Sequence, residues 1–201
     1  MSSAALSTDE ITFVYTSNLD MRSELKVPEG THVVLFKIFE DLRNDLAGDF
    51  DAVSLIKFIK EYRYPLVLPF DRKVSIRFAY DNSTVFFLMY KKDEVGLKAQ
   101  KVFYEAAQRL RGKIQFSKVD VDDENYGRRF VQFYRVAGSD SATIIINGPL
   151  TEHPKRHRFD RELTAENLLQ FYEDYKAGRP PLFLRSESIP VANDQPVKVE
   201  L

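Results

Sequence analysis

The groups best suited to hold a metal ion are two histidines four residues apart, His153 and His157, and the carboxylate run Asp120-Val-Asp-Asp-Glu124. A helix would bring a histidine pair at that spacing to one face, as zinc requires. Pro154 argues against a regular helix there, and no third ligand is apparent. His153-Pro-Lys-Arg-His-Arg158 therefore reads as a basic surface loop, suited to contact with an acidic partner or substrate. A calcium loop needs glycine at its sixth position and a bidentate glutamate at its twelfth. Counted from Asp120, those positions hold Asn125 and Val131, so the run reads as a solvated turn after a strand. No metal site is expected.

Cysteine decides more. The 201 residues contain none, which removes thiol catalysis, disulfides and thiolate metal sites from this chain. No phosphate-cradling glycine loop and no serine nucleophile elbow occurs, so neither catalytic residues nor a cofactor are expected. A formal net charge of -1 supplies no general attraction to nucleic acid. No run approaches the roughly 18 apolar residues of a membrane helix, so no membrane partner is expected either. The opening Met1-Ser-Ser-Ala-Ala-Leu6 lacks the apolar stretch of a signal peptide, and Val197-Lys-Val-Glu-Leu201 carries no retention signal. The expectation is a cytosolic protein, or part of a longer one whose targeting signals lie elsewhere.

The remaining signal is aromatic, with 16 phenylalanines and 10 tyrosines. Most must pack in a core. Phe70, Phe78, Phe130 and Phe133 fall at the ends of expected elements, where they could line one open apolar face for a peptide. Asn82-Ser-Thr84 is a glycosylation sequon, usable only if the protein enters the secretory route.

The elements that would position these residues alternate. Ile11–Thr16 and Thr31–Phe39 read as strands. Asp51 caps a helix with Ala52, Leu55, Ile56 and Ile59 on one stripe, ending before Tyr64-Pro65. Strand Leu66–Phe70 follows, then an amphipathic segment Lys73–Tyr80 and the apolar strand Thr84–Tyr90. A helix from Asp93 to Arg111 carries Val95, Ala99, Val102, Phe103, Ala106 and Leu110, stopped by Gly112. Strand Ile114–Val119, a helix around Tyr126–Tyr134 and strand Ala142–Ile146 come next. Thr164 caps a last helix, with Leu168, Phe171, Tyr172 and Tyr175 inward and Gly178-Arg-Pro-Pro181 ending it.

Parts of this series repeat. Ile11 with Phe13 matches Ile114 with Phe116, and His32-Val-Val34 corresponds to Ala142–Ile145. Asp51-Ala-Val-Ser-Leu-Ile-Lys-Phe58 matches Thr164-Ala-Glu-Asn-Leu-Leu-Gln-Phe171, a period of about 110 residues, the size of a domain. Residues 1–64 then read as the rear half of one domain. Residues 65–180 form a complete domain of order β-α-β-α-β-α-β-(β)-α, and the proline-bearing 181–201 is a linker. The fold class is α/β, a mixed sheet flanked by helices in thioredoxin-like order, preceded by a truncated second unit of the same kind.

Several segments resemble protein disulfide isomerases. Tyr64-Pro-Leu-Val-Leu-Pro-Phe70, Arg111–Asp122, Leu163–Phe171 and Tyr175-Lys-Ala-Gly-Arg-Pro180 are similar to that family's b-prime domain. Thr16–Asp20, Val34–Phe39 and Arg43-Asn44 resemble the rear of its b domain, and Leu184–Pro190 with Gln195–Val199 its linker to a catalytic domain. The family's proteins work in the endoplasmic reticulum with four thioredoxin-like domains, two of them redox-active. The b-prime domain binds unfolded or misfolded polypeptides in an apolar pocket between helices, for tethered catalytic domains to process. The resemblance implies a peptide site at Phe70, Phe78, Phe130, Phe133 and Ile146. It also implies a parent that makes, reduces and rearranges disulfides. Ser141 stands where related domains often keep a proline, which puts strand-type peptide docking in doubt. The alternative is a scaffold recruiting a folded partner, such as a lectin chaperone, through Lys155–Arg158. The half domain would leave apolar edges open, making a dimer plausible.

Overall fold

The computed structural model describes residues 11–135, 142–148 and 156–179. His153, Ser141 and the linker 181–201 lie outside the described residues.

The first unit is built on a two-stranded antiparallel pair, β1 (His32–Phe36) with β2 (Arg43–Ala47), preceded by the short helix α1 (Leu19–Glu24). Asn18 starts α1 by accepting the amides of Asp20 and Met21. Helix α2 (Ala52–Tyr62) packs on the pair through Leu55, Phe58 and Ile59, with Val33, Leu35 and Leu46 beneath them. Its start is a reciprocal box: Asp51 Oδ1 accepts the Ser54 amide at 2.8 Å, and Ser54 Oγ accepts the Asp51 amide at 3.0 Å.

The second unit has a five-stranded mixed sheet in the order β3-β5-β4-β6-β7. The strands are β3 (Val67–Pro69), β4 (Val85–Tyr90), β5 (Gln115–Asp120), β6 (Ala142–Asn147) and β7 (Arg156–Arg158). Helix α3 (Arg72–Tyr80) joins β3 to β4, α4 (Glu94–Arg109) joins β4 to β5, α5 (Gly127–Tyr134) joins β5 to β6, and α6 (Ala165–Lys176) follows β7. The strands β3, β5 and β4 run parallel, while β6 and β7 return antiparallel. Every residue of β4 is buried, as expected of an apolar central strand covered on both faces. Its alternation divides the core. Phe86, Leu88 and Tyr90 pack with α4 and α6, while Val85, Phe87 and Met89 face α3 and α5.

Three expectations need correction, and one strand was not anticipated. Ile11–Thr16 is not a strand; Ile11 instead packs against the α2 cluster, because β-propensity without a paired neighbour fixes no strand. Arg43–Ala47 is one, despite its polar sequence, because it pairs residue by residue with β1. Val95 is 58% exposed: the inward stripe of α4 begins at Gly96, so Val95 lies outside it. Residues 156–158 are an edge strand rather than a loop, and His157 is buried with its ring 5.4 Å from that of Tyr175.

The two units share a strand-strand-helix order, β1-β2-α2 and β6-β7-α6, each with an antiparallel pair. They touch through the β1–β2 connection, where Glu40 and Leu42 adopt positive φ of 49° and 57°. That turn delivers Glu40 into the second unit, where its carboxylate accepts the Leu66 amide at 2.5 Å and Arg111 Nη2 at 2.9 Å.

Candidate functional site

The site grows from the odd-numbered face of β4. Phe70 lies just past β3, its amide bonded to the Lys118 carbonyl at 2.9 Å, and Asp71 turns the chain into α3 by accepting the Val74 amide at 2.7 Å. This turn places the Phe70 ring over the sheet, 5.7 Å from Phe87 and 4.6 Å from Phe130. Phe130 also lies 5.0 Å from Phe87 and 4.8 Å from Tyr134, one helical turn further along α5. Tyr126 closes the other side, 6.0 Å from Phe70. Most of these pairs meet edge to face, the arrangement that brings a ring's positive edge to a negative face.

Helix α5 is held at that distance by its approach. Asp123 Oδ1 accepts the amides of Asn125 and Tyr126, at 3.0 and 2.7 Å, so the acidic run forms the entry turn of the helix. Partial burial works to raise the Asp120 carboxyl, but the Lys92 ammonium at 2.6 Å and the Asp122 amide hold it below the usual carboxylate range. Gly127 makes the close approach possible, because a Cβ there would stand 2.1 Å from the Asp120 carbonyl oxygen.

The five residues expected in the site separate. Phe70 and Phe130 are half-buried and in contact. Phe133 is 36% exposed and packs edge-on against Tyr134 at 4.9 Å, with the Arg156 guanidinium 4.5 Å above its ring. Phe78 is 6% exposed, sunk under α3 against Phe87, and belongs to the core rather than to an open face. Ile146 is buried on the other side of the sheet, opposite Phe86, because strand alternation turns Ile145 and not Ile146 toward the phenylalanines. Tyr126, Tyr134, Ile145 and Arg156 were not anticipated. For Tyr134 the signal was present in the sequence, four residues after Phe130.

Beyond the rings the margin is polar. Arg156 Nε donates to Asn147 Oδ1 at 3.1 Å, which Tyr134 Oη also reaches at 3.5 Å, and Asn147 Nδ2 donates to the Gly148 carbonyl at 3.0 Å. Among the described residues no three histidine, cysteine, aspartate or glutamate side chains are grouped to hold a metal ion. No helix among them is long and apolar enough to cross a membrane. Asn82, at φ 47°, stands exposed in the turn before β4, although its sequon abuts a buried strand.

Strand order and crossovers define a thioredoxin-like unit, and without cysteine it has no thiol to exchange. The chain belongs to the thioredoxin-like domain family, whose model matches residues 2–174. Its relatives are protein disulfide isomerases. It is 28% identical to protein disulfide isomerase-like 1-4 of Arabidopsis thaliana, over 99% of this chain and 34% of that protein. It is 29% identical to the protein disulfide-isomerase of Oryctolagus cuniculus, over 98% of this chain and 39% of that protein. The chain thus spans little more than a third of these relatives. Among solved structures it superposes on the bb fragment of ERp72 with a TM-score of 0.58 at 17% identity, covering 89% of this chain and 82% of that one.

Proposed function

We propose that the chain is a non-catalytic peptide-binding part of a protein disulfide isomerase, acting in the endoplasmic-reticulum lumen. The observation that carries the reading is the aromatic group on a thiol-free thioredoxin-like sheet, where half-buried Phe70 and Phe130 lead outward to exposed Phe133. An unfolded or misfolded client would lay apolar side chains on that edge. Each large side chain buried contributes about 1.5–3 kcal/mol, enough for weak and reversible capture. Tethered catalytic domains of the parent would then meet a raised local concentration of substrate, and would carry out the formation, reduction and rearrangement of disulfides.

In this reading residues 1–64 are the rear of a b domain, 65–180 a b-prime domain and 181–201 the linker to a catalytic domain. Exposed Phe36, Ile38 and Leu42 beside the two-stranded pair favour association of two copies through the first unit. A clean monomer in light scattering at high concentration would remove that element. Exposure of Asn82 favours glycosylation in the secretory route, which mass spectrometry of the native parent would test.

The decisive experiment titrates a fluorescent unfolded peptide into the chain and into its Phe133→Ser variant. Saturable binding that weakens in the variant is expected. Equal affinity in both would overturn the reading. A second reading, a scaffold for a folded partner such as a lectin chaperone, is favoured by the arginines of β7; loss of partner binding on charge reversal at Arg156 and Arg158, with peptide binding kept, would select it.

A further inference from the structure

The first unit has an open strand edge, and its hydrogen bonds say which residues line it. The Gly48 amide donates to the Thr31 carbonyl at 3.2 Å and the Lys37 amide to the Leu42 carbonyl at 2.7 Å. In an antiparallel pair the bonded residues alternate, so the odd residues from 31 to 37 bond β2. The amides and carbonyls of His32, Val34 and Phe36 therefore point away from β2. Among the described residues none of them meets a backbone partner. Strand β6 shows what fills the same place in the second unit. Ile144 accepts the Phe159 amide on the β7 side and packs with α6, just as Val33 and Leu35 bond β2 and pack with α2. The opposite edge of β6 carries β4, antiparallel. Beside β1 no described strand holds that place. The strand itself, His-Val-Val-Leu-Phe, has no proline, lysine or acid to guard an edge, and Phe36 and Ile38 are 57% and 97% exposed.

We infer that two copies of the chain join edge to edge through β1, making one continuous sheet β2-β1-β1-β2 across a twofold axis at Val34. The inference rests on the self-association proposed above and names its contact. An axis at Val34 is the register that uses all three outward residues of the strand. Val34 then faces the partner's Val34, and His32 faces the partner's Phe36, with two backbone hydrogen bonds exchanged at each such pair and no like charges opposed. The axis stands perpendicular to the sheet, so both α2 helices lie on one face. Strands about 4.8 Å apart give each helix a pair of strands roughly 10 Å wide, which matches the interaxial distance of roughly 8–10 Å between packed helices. The partner's β1 thus takes the place that β4 holds beside β6.

The chain has no cysteine, so single introduced cysteines report the register directly. Oxidised glutathione should link the Val34→Cys variant into a covalent dimer, because directly opposed strand residues lie within the roughly 4.4–6.8 Å between Cα atoms that a disulfide spans. His32→Cys and Phe36→Cys should stay monomeric under oxidation when alone and cross-link when mixed. Val34→Pro tests the hydrogen bonds, since it removes an outward amide and none of those to β2. Sedimentation should show its dimerisation weakened about tenfold or more, with helical circular dichroism kept, because symmetry doubles each lost bond. Val34→Thr keeps the amide and should dimerise like the parent sequence. Should Val34→Pro lose its helical signal, the cysteine pattern decides alone. A dimer that survives Val34→Pro, or cysteines that link at 32 or 36 alone as readily as at 34, would overturn the β1 contact while leaving self-association in place. A monomer at every concentration would overturn both and leave the peptide-binding reading standing.

Discussion

Glu40 and Arg111 meet across the seam between the two units, Oε2 to Nη2 at 2.9 Å, with side chains only 10% and 15% exposed. The guanidinium also lies 4.9 Å from the Tyr62 ring, so the seam joins α2, the β1–β2 turn and the end of α4. Removing one partner of a buried pair leaves the other charge uncompensated, which costs about 3 kcal/mol. Glu40→Ala should lower stability by that amount in chemical denaturation, and Glu40→Gln by less, because it keeps an acceptor for the Leu66 amide. A loss below about 1 kcal/mol in Glu40→Ala would mean that the charge is not buried in solution.

Phe130 and Phe133 should separate stability from binding. Phe130 packs on three rings, and replacing it with serine should cost about 3 kcal/mol of stability as well as peptide affinity. Phe133 is exposed enough for Phe133→Ser to leave the melting temperature within a few degrees, while peptide affinity falls about tenfold. Denaturation curves and peptide titrations on the same samples distinguish the two.

Acid should loosen the end of the last helix. Arg161, Gln170 and Arg179 all donate to the Asp174 carboxylate, at 2.5, 3.1 and 2.8 Å, and hold its carboxyl below the ordinary range. A carboxyl whose folded pKa is depressed stabilises the fold above the unfolded value of about 3.9, and that stabilisation disappears as pH falls through the lower folded value. Thermal melts from neutral pH into strong acid should therefore show Asp174→Asn less stable at pH 6 and converging with the parent sequence at the acid end. Parallel curves across the range would contradict the clamp.

Gly127 should tolerate no side chain. A Cβ would meet the Asp120 carbonyl oxygen at 2.1 Å and the Val121 carbonyl carbon at 2.8 Å, so Gly127→Ala must push α5 off the end of β5. The expected cost is about 2 kcal/mol, and peptide affinity should fall with it because Phe130 and Phe133 ride on that helix. Unchanged melting and binding would show that the turn can yield.

The second unit was legible because its signals are local. Thr164 caps its helix and Asp93 starts its own where expected, as Asp51 does for α2 in the first unit, and the apolar run ending at Tyr90 is the buried central strand. The pairing of β1 with β2 was not legible, since Arg43–Ala47 owes its strand to a neighbour rather than to its own composition. Of the site, the proximity of Phe70 to Phe130 was readable from their places at element ends. Ile146 was assigned one position off, because alternation tells which residues share a face but not which face meets which helix. Phe78 was misplaced for a similar reason: its helix is amphipathic, and only the sheet beneath α3 decides that the ring is covered.

Phe86 and Phe87 are consecutive, yet they serve opposite layers of the molecule. Parity along β4 and β6 is therefore a division of labour. Variation at 85, 87, 143 or 145 reshapes the α5 side, while 86, 88, 144 and 146 stay committed to the foundation under α4 and α6. A mutational library restricted to odd positions of these two strands would leave the α4 and α6 layer untouched and confine its effects to the layer on which Phe70 and Phe130 rest.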